Sequence, residues 1–136
     1  MHALIFKAGE KTCAIGLGCV ECVAPAFDTQ GLQDEPPFSG FRDFGGEKIP
    51  VFDINFAVSG RKARRLFGTR HIIVKMKIGG KETRAALLAE GISGVREFSG
   101  GAKFASDADA FGAFENGAES VVAVRPEILF GKAFNG

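Results

Sequence analysis

The chain has 136 residues, a length typical of one domain whose core needs no disulfide or metal to hold it together. Its 17 Lys and Arg residues are balanced by 16 Asp and Glu residues, which argues against a general affinity for nucleic acid or anionic membranes. The sequence carries no leader-like segment and no apolar run of membrane-spanning length. We therefore expect a single cytoplasmic domain over residues 1–136, without direct membrane insertion.

The first predicted elements form a hairpin followed by a third short strand. Apolar runs at residues 2–8 and 12–17 flank a polar loop, and residues 19–23 continue as a strand after a glycine kink. Residues 24–39 are rich in Pro, Asp, Gln and Gly. They are predicted to form a long surface loop, with one helical turn near its two adjacent prolines.

A second, tighter hairpin is predicted within residues 40–56. Phe44 ends its first strand, and residues 45–48 reverse the chain with two glycines that tolerate positive φ angles. Pro50 cannot donate a ladder hydrogen bond, so the returning strand lies at a sheet edge or where pairing lapses. Asp53 follows the strand, where its carboxylate can accept hydrogen bonds from turn amides.

The clearest strand of the chain is predicted at residues 70–78, where apolar residues alternate with lysines, so that one face is buried and the other mostly solvated. Two glycines turn this strand back into residues 82–89. Residues 90–98 follow this hairpin through a glycine kink, as residues 18–23 follow the first hairpin. The repeated order predicts an internal duplication with two small barrel-like sheets.

The last third of the chain is less regular in sequence. Residues 99–117 are rich in Gly, Ala, Asp and Phe and are predicted as loop, although the Ser-Asp pattern at 106–109 would also cap a short helix. Residues 120–124 are predicted as a buried strand. Residues 125–130 start a short helical turn with Pro near its beginning.

The segment from Gly40 to Asp53 carries a family signature. It reads Gly-Phe-Arg-Asp-Phe-Gly-Gly-Glu-Lys-Ile-Pro-Val-Phe-Asp and is similar to the signature of CheW, the coupling protein of bacterial chemosensory arrays. Asp43 replaces the asparagine of the family, and Gly45 replaces its arginine. With Gly91 of the second glycine kink added, the residues expected to maintain the motif's structure are Gly40, Phe44, Gly46, Pro50, Val51, Asp53 and Gly91.

This resemblance implies a mostly β fold, a CheW-like domain of two small five-stranded β-barrel subdomains with short helical turns. It also implies a non-enzymatic adaptor that binds the cytoplasmic tip of a methyl-accepting chemoreceptor and the regulatory domain of a CheA-type histidine kinase. The family's receptor groove lies along the strand after the first hairpin and the start of the second hairpin. The positions of this sequence that correspond to the groove are Leu17, Val20, Cys22, Gly45 and Ile72.

The sequence was also searched for catalytic and metal-binding patterns. Cys13, Cys19 and Cys22 are an odd number of thiols, and with His2 and His71 they form no recognisable zinc spacing. Nothing marks a nucleophile and its base, so we expect no enzyme, cofactor or metal. Buried apolar cysteines are the favoured interpretation; the alternative is a thiol-redox protein that uses Cys19 and Cys22.

The basic run at residues 61–65 admits two interpretations. A solvated connector is favoured, since the aromatic residues expected of a single-strand binder are not interleaved with the cations. The alternative is a nucleic-acid-binding β-barrel protein that uses this loop. Binding to nucleic acid at low salt would distinguish the two.

Overall fold

The computed structural model describes residues 1–26, 37–116 and 119–135. Over these residues, ten strands form two five-stranded sheets, and the helices are short. A 3₁₀ helix at Leu17–Cys19 joins the second and third strands. The strands are β1 His2–Ala8, β2 Lys11–Gly16, β3 Val20–Pro25, β4 Phe38–Phe44, β5 Glu47–Asp53, β6 Arg70–Ile78, β7 Lys81–Ala89, β8 Gly91–Glu97, β9 Phe111–Asn116 and β10 Glu119–Val124, and the helices are α1 Ile54–Ser59 and α2 Pro126–Asn135.

The two sheets exchange strands. The first has the order β8-β1-β2-β10-β9 and the second has the order β3-β6-β7-β5-β4. Each hairpin, β1–β2 or β6–β7, is therefore completed by the strand that follows the other hairpin. Each sheet also contains one parallel pair, β2 with β10 and β5 with β7. This correspondence between the two halves of the chain agrees with the predicted internal duplication.

The predicted fold class is confirmed, with one distinction about closure. Over the described residues, the ladders of each sheet end at two edge strands, so backbone pairing closes neither sheet into a barrel. In the second sheet, a side chain links the edges instead: Arg42 Nη1 on β4 donates to the carbonyl oxygen of Pro25 on β3 at 3.1 Å. The second sheet therefore curls until its edge strands meet.

Three apolar clusters explain why both faces of each sheet are buried. The largest lies between the sheets and includes Phe6, Ile72 and Phe130, while the other two lie inside the curl of each sheet. Ile73 belongs to one of these inner clusters. The prediction of a mostly solvated second face on the strand at 70–78 is therefore wrong for its first half, because the sheet has a core on each side.

Some predicted element boundaries are wrong. Ala24 and Pro25 belong to β3, and Phe38 and Ser39 to β4, so the predicted long loop is shorter. The rest of it, with the predicted helical turn at 36–37, lies largely outside the described residues. Phe111–Asn116 is a strand rather than loop, because it pairs along its whole length with β10.

The β4–β5 hairpin has a shorter turn than predicted. Gly45 and Gly46 have φ angles of 57° and 81°, and Glu47 already pairs with Phe44. This is a two-residue turn of the kind that two glycines favour. β5 is an inner strand of its sheet. Its pairing with β7 begins at Val51, so Pro50 lies in the part of β5 that is not paired with β7, as predicted for a residue without an amide hydrogen.

Candidate functional site

The 3₁₀ helix and β3 form the surface where the sequence predicted a groove. Leu17 projects from the 3₁₀ helix with 38% of its surface exposed. The Cys19 thiol donates to the carbonyl oxygen of Gly16 at 3.0 Å, which closes this turn. Val20 is half-buried against the cluster between the sheets, and Cys22 is half-buried against the inner cluster of the second sheet. Three of the predicted residues therefore lie on one short segment at the edge of that sheet.

Val23 was missed by the sequence analysis. Its side chain is exposed, as is Glu21, whereas Val20 and Cys22 are half-buried. The register of the β3–β6 ladder shifts between Val20 and Cys22, so Val20 and Val23 lie opposite Val74 and Ile72 of the cluster between the sheets, whereas Cys22 lies opposite Ile73 of the inner cluster. No local signal in the sequence distinguishes Val23, because the bulge decides which face it shares with Val20. The edge strand therefore presents apolar surface to solvent beyond the predicted residues.

Ile72 does not lie on this surface. Its side chain is completely buried in the cluster between the two sheets, opposite Val23 and Leu87 in the ladders. A partner docked on the described surface would not touch it. We therefore remove Ile72 from the candidate lining residues and assign it to the core.

Gly45 lies at the tip of the β4–β5 hairpin, and a Cβ added there would meet no atom within 4 Å. Arg84 on β7 connects this hairpin to β3. Its guanidinium lies 2.6 Å from a carboxylate oxygen of Glu21 and 3.6 Å from one of Glu47. Gly45 is therefore two residues from an ion-pair network that reaches the candidate surface, but no cation extends from its own position.

The motif residues have structural roles. Gly40 has a φ angle of 117° next to a register shift in the β4–β5 ladder, a backbone conformation that favours glycine. Asp53 caps α1 by accepting from the Phe56 amide at 3.0 Å, and it also accepts from the Ala63 amide at 2.8 Å. Burial raises the pKa of the Asp53 carboxyl, against the lowering effect of these hydrogen bonds. Phe44 and Val51 pack in the inner cluster of the second sheet.

The second glycine kink differs slightly from expectation. Gly91 begins β8, and its φ angle is not positive. The positive φ angle lies at Gly94, where the register of the β1–β8 pairing shifts. The bulge in β8 therefore depends on Gly94 more directly than on Gly91.

The thiols are unsuited to redox chemistry. All three cysteines are free, and burial raises the pKa of Cys13 to about 12 and that of Cys19 to about 11. The pKa of Cys22 is also raised by burial. Because the thiolate is the reactive form, these shifts argue against the thiol-redox alternative.

A buried arginine and histidine lie inside the curl of the second sheet. Arg42 Nη1 is 3.0 Å from Nδ1 of His71, and both side chains are buried. Since a guanidinium can only donate, His71 accepts at Nδ1 and carries its proton on Nε2. Burial, followed by the positive charges of Arg42 and Arg65, lowers the pKa of His71 to about 4. The pair therefore fixes the edge strand β4 against β6.

The basic run 61–65 forms the connector between α1 and β6. Arg64 is in an ion pair with Glu90 at 3.0 Å, and Arg65 donates to the carbonyl oxygen of Ala26 at 3.1 Å. The carbonyl oxygen of Arg61 accepts from the Asn55 side chain at 2.9 Å. These contacts favour the connector interpretation over a nucleic-acid site, because two of the cations are engaged within the fold.

Metal and membrane sites were considered for the described residues. In residues 1–26, 37–116 and 119–135, no group of three or more His, Cys, Asp or Glu side chains is placed to hold a metal ion. Among the helices in those same ranges, none has the length and apolar character needed to cross a membrane.

Comparisons with known proteins agree with this geometry. Residues 2–103 match the CheW-like domain family. Among solved structures, the chain is similar to the scaffolding protein TtCheW from Thermoanaerobacter tengcongensis, with 19% identity, a TM-score of 0.69, and coverage of 95% of this chain and 91% of that one. No curated protein sequence matches significantly. The family match and the shared fold therefore place the chain in the CheW-like domain family, a non-catalytic scaffold family of chemotaxis.

Proposed function

We propose that this protein is an adaptor that couples the cytoplasmic tip of a chemoreceptor to the regulatory domain of a CheA-type histidine kinase. The observation that carries the proposal is the CheW-like domain match over residues 2–103. The protein acts in the cytoplasm as one unit over residues 1–136, held at receptor arrays by its partners. It neither binds nucleic acid nor inserts into the membrane.

The receptor is bound by the surface at the 3₁₀ helix and β3. A helical hairpin presents apolar residues at helical spacing, and such a helix packs its apolar face into a groove of matching chemistry. Leu17 and Val23 are exposed there, and Val20, on the same face of β3 as Val23, extends the apolar surface inward, whereas Cys22 lies on the opposite face. α2 borders this region, because its Ile128 and Leu129 pack in the same apolar cluster as Cys19 and Val20.

The glycine at position 45 changes the electrostatics of this contact. The positive φ angle of Gly45 and the open space around it are compatible with a turn that makes no charged contact of its own. Arg84, engaged by Glu21 and Glu47, is the nearby cation. Receptor binding by this chain therefore rests on apolar contacts more than on a hairpin-tip ion pair.

The adaptor acts by positioning the receptor and the kinase relative to each other. It contributes no bond-making chemistry; it holds two proteins in a fixed relation, so that a small shift in one changes the conformational equilibrium of the other. A rigid body suits this role, and the two sheets share one core that involves both halves of the chain. Binding of receptor and kinase is then coupled through a body that does not deform.

The test is co-sedimentation with receptor-containing membranes, in the presence and absence of the purified kinase. The variants are Leu17→Asp and Val20→Asp, and the matched control is Val95→Asp on β8, since Val95 is also an exposed apolar residue on an edge strand, with 56% exposure. Circular dichroism verifies that each variant is folded.

We expect wild type and Val95→Asp to sediment with receptor membranes and Leu17→Asp to remain in the supernatant. A charge buried against a helix must be desolvated without a partner, which opposes docking. Equal sedimentation of Leu17→Asp and wild type would remove the groove assignment. Failure of wild type to sediment with any receptor of the same cell would remove the coupling function itself.

A further inference from the structure

The connector between α1 and β6 ends in a turn whose tip is fully exposed. Phe67 has a relative exposure of 102%, and the neighbouring Leu66 is exposed as well. Leaving a phenylalanine entirely in water gives up the stabilisation that its burial would provide. Because Leu66 and Phe67 are adjacent, the tip exposes two large apolar side chains together rather than one scattered residue.

Hydrogen bonds hold this turn in place without using the Phe67 side chain. The hydroxyl of the buried Thr69 donates to the carbonyl oxygen of Arg64 at 2.6 Å and accepts from the Leu66 amide at 2.9 Å. The Thr69 amide donates to the carbonyl oxygen of Leu66 at 3.1 Å. Arg70 Nη1 donates to the carbonyl oxygen of Phe67 at 2.6 Å. These hydrogen bonds therefore order the backbone of the turn, while the Phe67 side chain stays exposed.

Two buried acids fix the base of the same turn. The Glu90 carboxylate accepts from the Arg64 amide at 3.1 Å and from Arg64 Nη2 at 3.0 Å. The hydrogen bond from the Arg64 side chain is the main cause that lowers the pKa of Glu90, so this carboxylate stays ionised. Asp53 holds the Ala63 amide. The buried carboxylates of Asp53 and Glu90 therefore fix the backbone of the connector that leads to the exposed Phe67.

The surroundings of the tip are positively charged. Residues 61–70 contain five Lys or Arg residues and no Asp or Glu. Glu90 faces this segment and forms an ion pair with one of the five. The remaining positive charge favours a partner surface with carboxylates around the contact. The five cations are Arg61, Lys62, Arg64, Arg65 and Arg70.

The turn is separate from the proposed receptor groove. Arg70 pairs with Pro25 at the end of β3, whereas Val74 pairs with Val20 at its start. The four steps from Arg70 to Val74 span about 13 Å of strand. Leu17 and Phe67 therefore lie beyond opposite ends of β3.

We propose that residues 64–69 are a second docking element, which inserts Phe67 into an apolar pocket rimmed by carboxylates on a partner protein. Resting on the proposed function, we identify this partner as the regulatory domain of the kinase. A single aromatic side chain on a pre-ordered turn, flanked by arginines, is the composition found at the centre of protein interfaces. Prior ordering lowers the entropy lost on binding. A membrane surface requires no such fixed geometry.

The test uses the full-length protein and the purified regulatory domain of the kinase from the same cell. Binding isotherms are measured for wild type, Phe67→Ser and the control Val95→Ser, which removes an exposed apolar side chain from the other sheet. We expect Phe67→Ser to weaken kinase binding at least about tenfold, since loss of a central aromatic anchor has this effect. Val95→Ser should bind as wild type. Sedimentation of all three with receptor membranes should be equal.

Four results would overturn the inference. Kinase affinity of Phe67→Ser equal to that of wild type removes the turn from the interface while leaving the coupling function intact. Absence of kinase binding by wild type, with receptor sedimentation retained, also rejects it. Binding to phosphatidylglycerol vesicles that Phe67→Ser abolishes assigns the turn to a membrane surface. A wild-type dimer that Phe67→Ser dissociates, measured by analytical ultracentrifugation, assigns it to a second copy of the chain.

Discussion

Acidification is expected to destabilise the fold through His71. The ring is buried, and Nδ1 accepts a hydrogen bond from Arg42, which cannot give up its proton. Protonation would place a charged imidazolium against a guanidinium in a buried site, where charge repulsion is weakly screened. The pKa of His71 is accordingly lowered to about 4 in the folded state, from the ordinary value of 6.5 that applies when the chain is unfolded.

The magnitude follows from proton linkage. A folded pKa below the unfolded one means that the unfolded chain binds more protons, so stability falls as the pH drops from about 6.5 towards about 4. The full difference corresponds to about 3 kcal/mol of unfolding free energy. Between pH 6 and pH 5 the slope approaches about 1.4 kcal/mol per unit. This contribution is fully present only well above pH 6.5, where the ring is neutral in both states.

Urea unfolding at pH 7, 6 and 5 tests this reasoning. Far-ultraviolet circular dichroism is the appropriate signal, because the chain has no Trp or Tyr to report by fluorescence. His71→Gln provides the control: it is less stable at pH 7, but its stability should be nearly constant over the same range. The carboxyls of Glu82 and Glu90, whose pKa values are lowered, lose their contributions only at lower pH. A wild-type protein with no pH dependence above pH 5, or a variant with the same slope, would refute the argument.

Three further substitutions test the core, the cap and the hairpin tip, each by urea unfolding at pH 7. Phe130→Ala should lose about 3–5 kcal/mol, because Phe130 is fully buried with its ring 5.1 Å from that of Phe52; a loss below 1 kcal/mol would contradict the shared core. Asp53→Ala should lose about 1–2 kcal/mol with the cap of α1, and an unchanged midpoint would disprove the capping role. Gly45→Ala should lose about 1–2 kcal/mol through its φ angle of 57°; a stabilised variant would exclude that geometry.

Elements with strong local signals were predicted well from the sequence. The apolar alternation in β6 identified it as a strand, although both faces of its first half are buried, and the glycine pairs at 45–46 and 79–80 marked their turns through positive φ angles. Asp53 accepts hydrogen bonds from backbone amides as predicted, but it does so at the start of α1, a helix that the sequence analysis did not predict. In these places neighbouring residues decide the structure.

Elements that depend on distant partners were predicted poorly. β9 has glycine and alanine where a strand usually has branched residues, and it is stabilised by pairing with β10. Gly112 of β9 packs so closely against Lys103 and Phe104 that a Cβ would collide with them, which explains a glycine in this strand. No local pattern reveals such a contact.

The same limit applies to the candidate site. Val20 and Ile72 are both branched apolar residues in strands, and the sequence gives no reason to separate them. Their difference is one of position: Val20 lies on an edge strand, whereas Ile72 lies on a strand with neighbours on both sides. Phe67 could not be identified either, since an exposed phenylalanine differs from the buried ones only in what the rest of the fold covers.

The strand exchange connects stability to the adaptor role. β3, which carries the proposed receptor surface, pairs with β6, while β8 from the other half of the chain pairs with β1. Neither sheet can therefore form without strands from both halves. Movement of β3 relative to the first sheet would disrupt the cluster between the sheets, which contains Phe6, Val74 and Phe130. The proposed receptor surface along β3 and the turn at 64–69 beyond the end of β3 are consequently held on one framework, which is the property that an adaptor between two proteins requires.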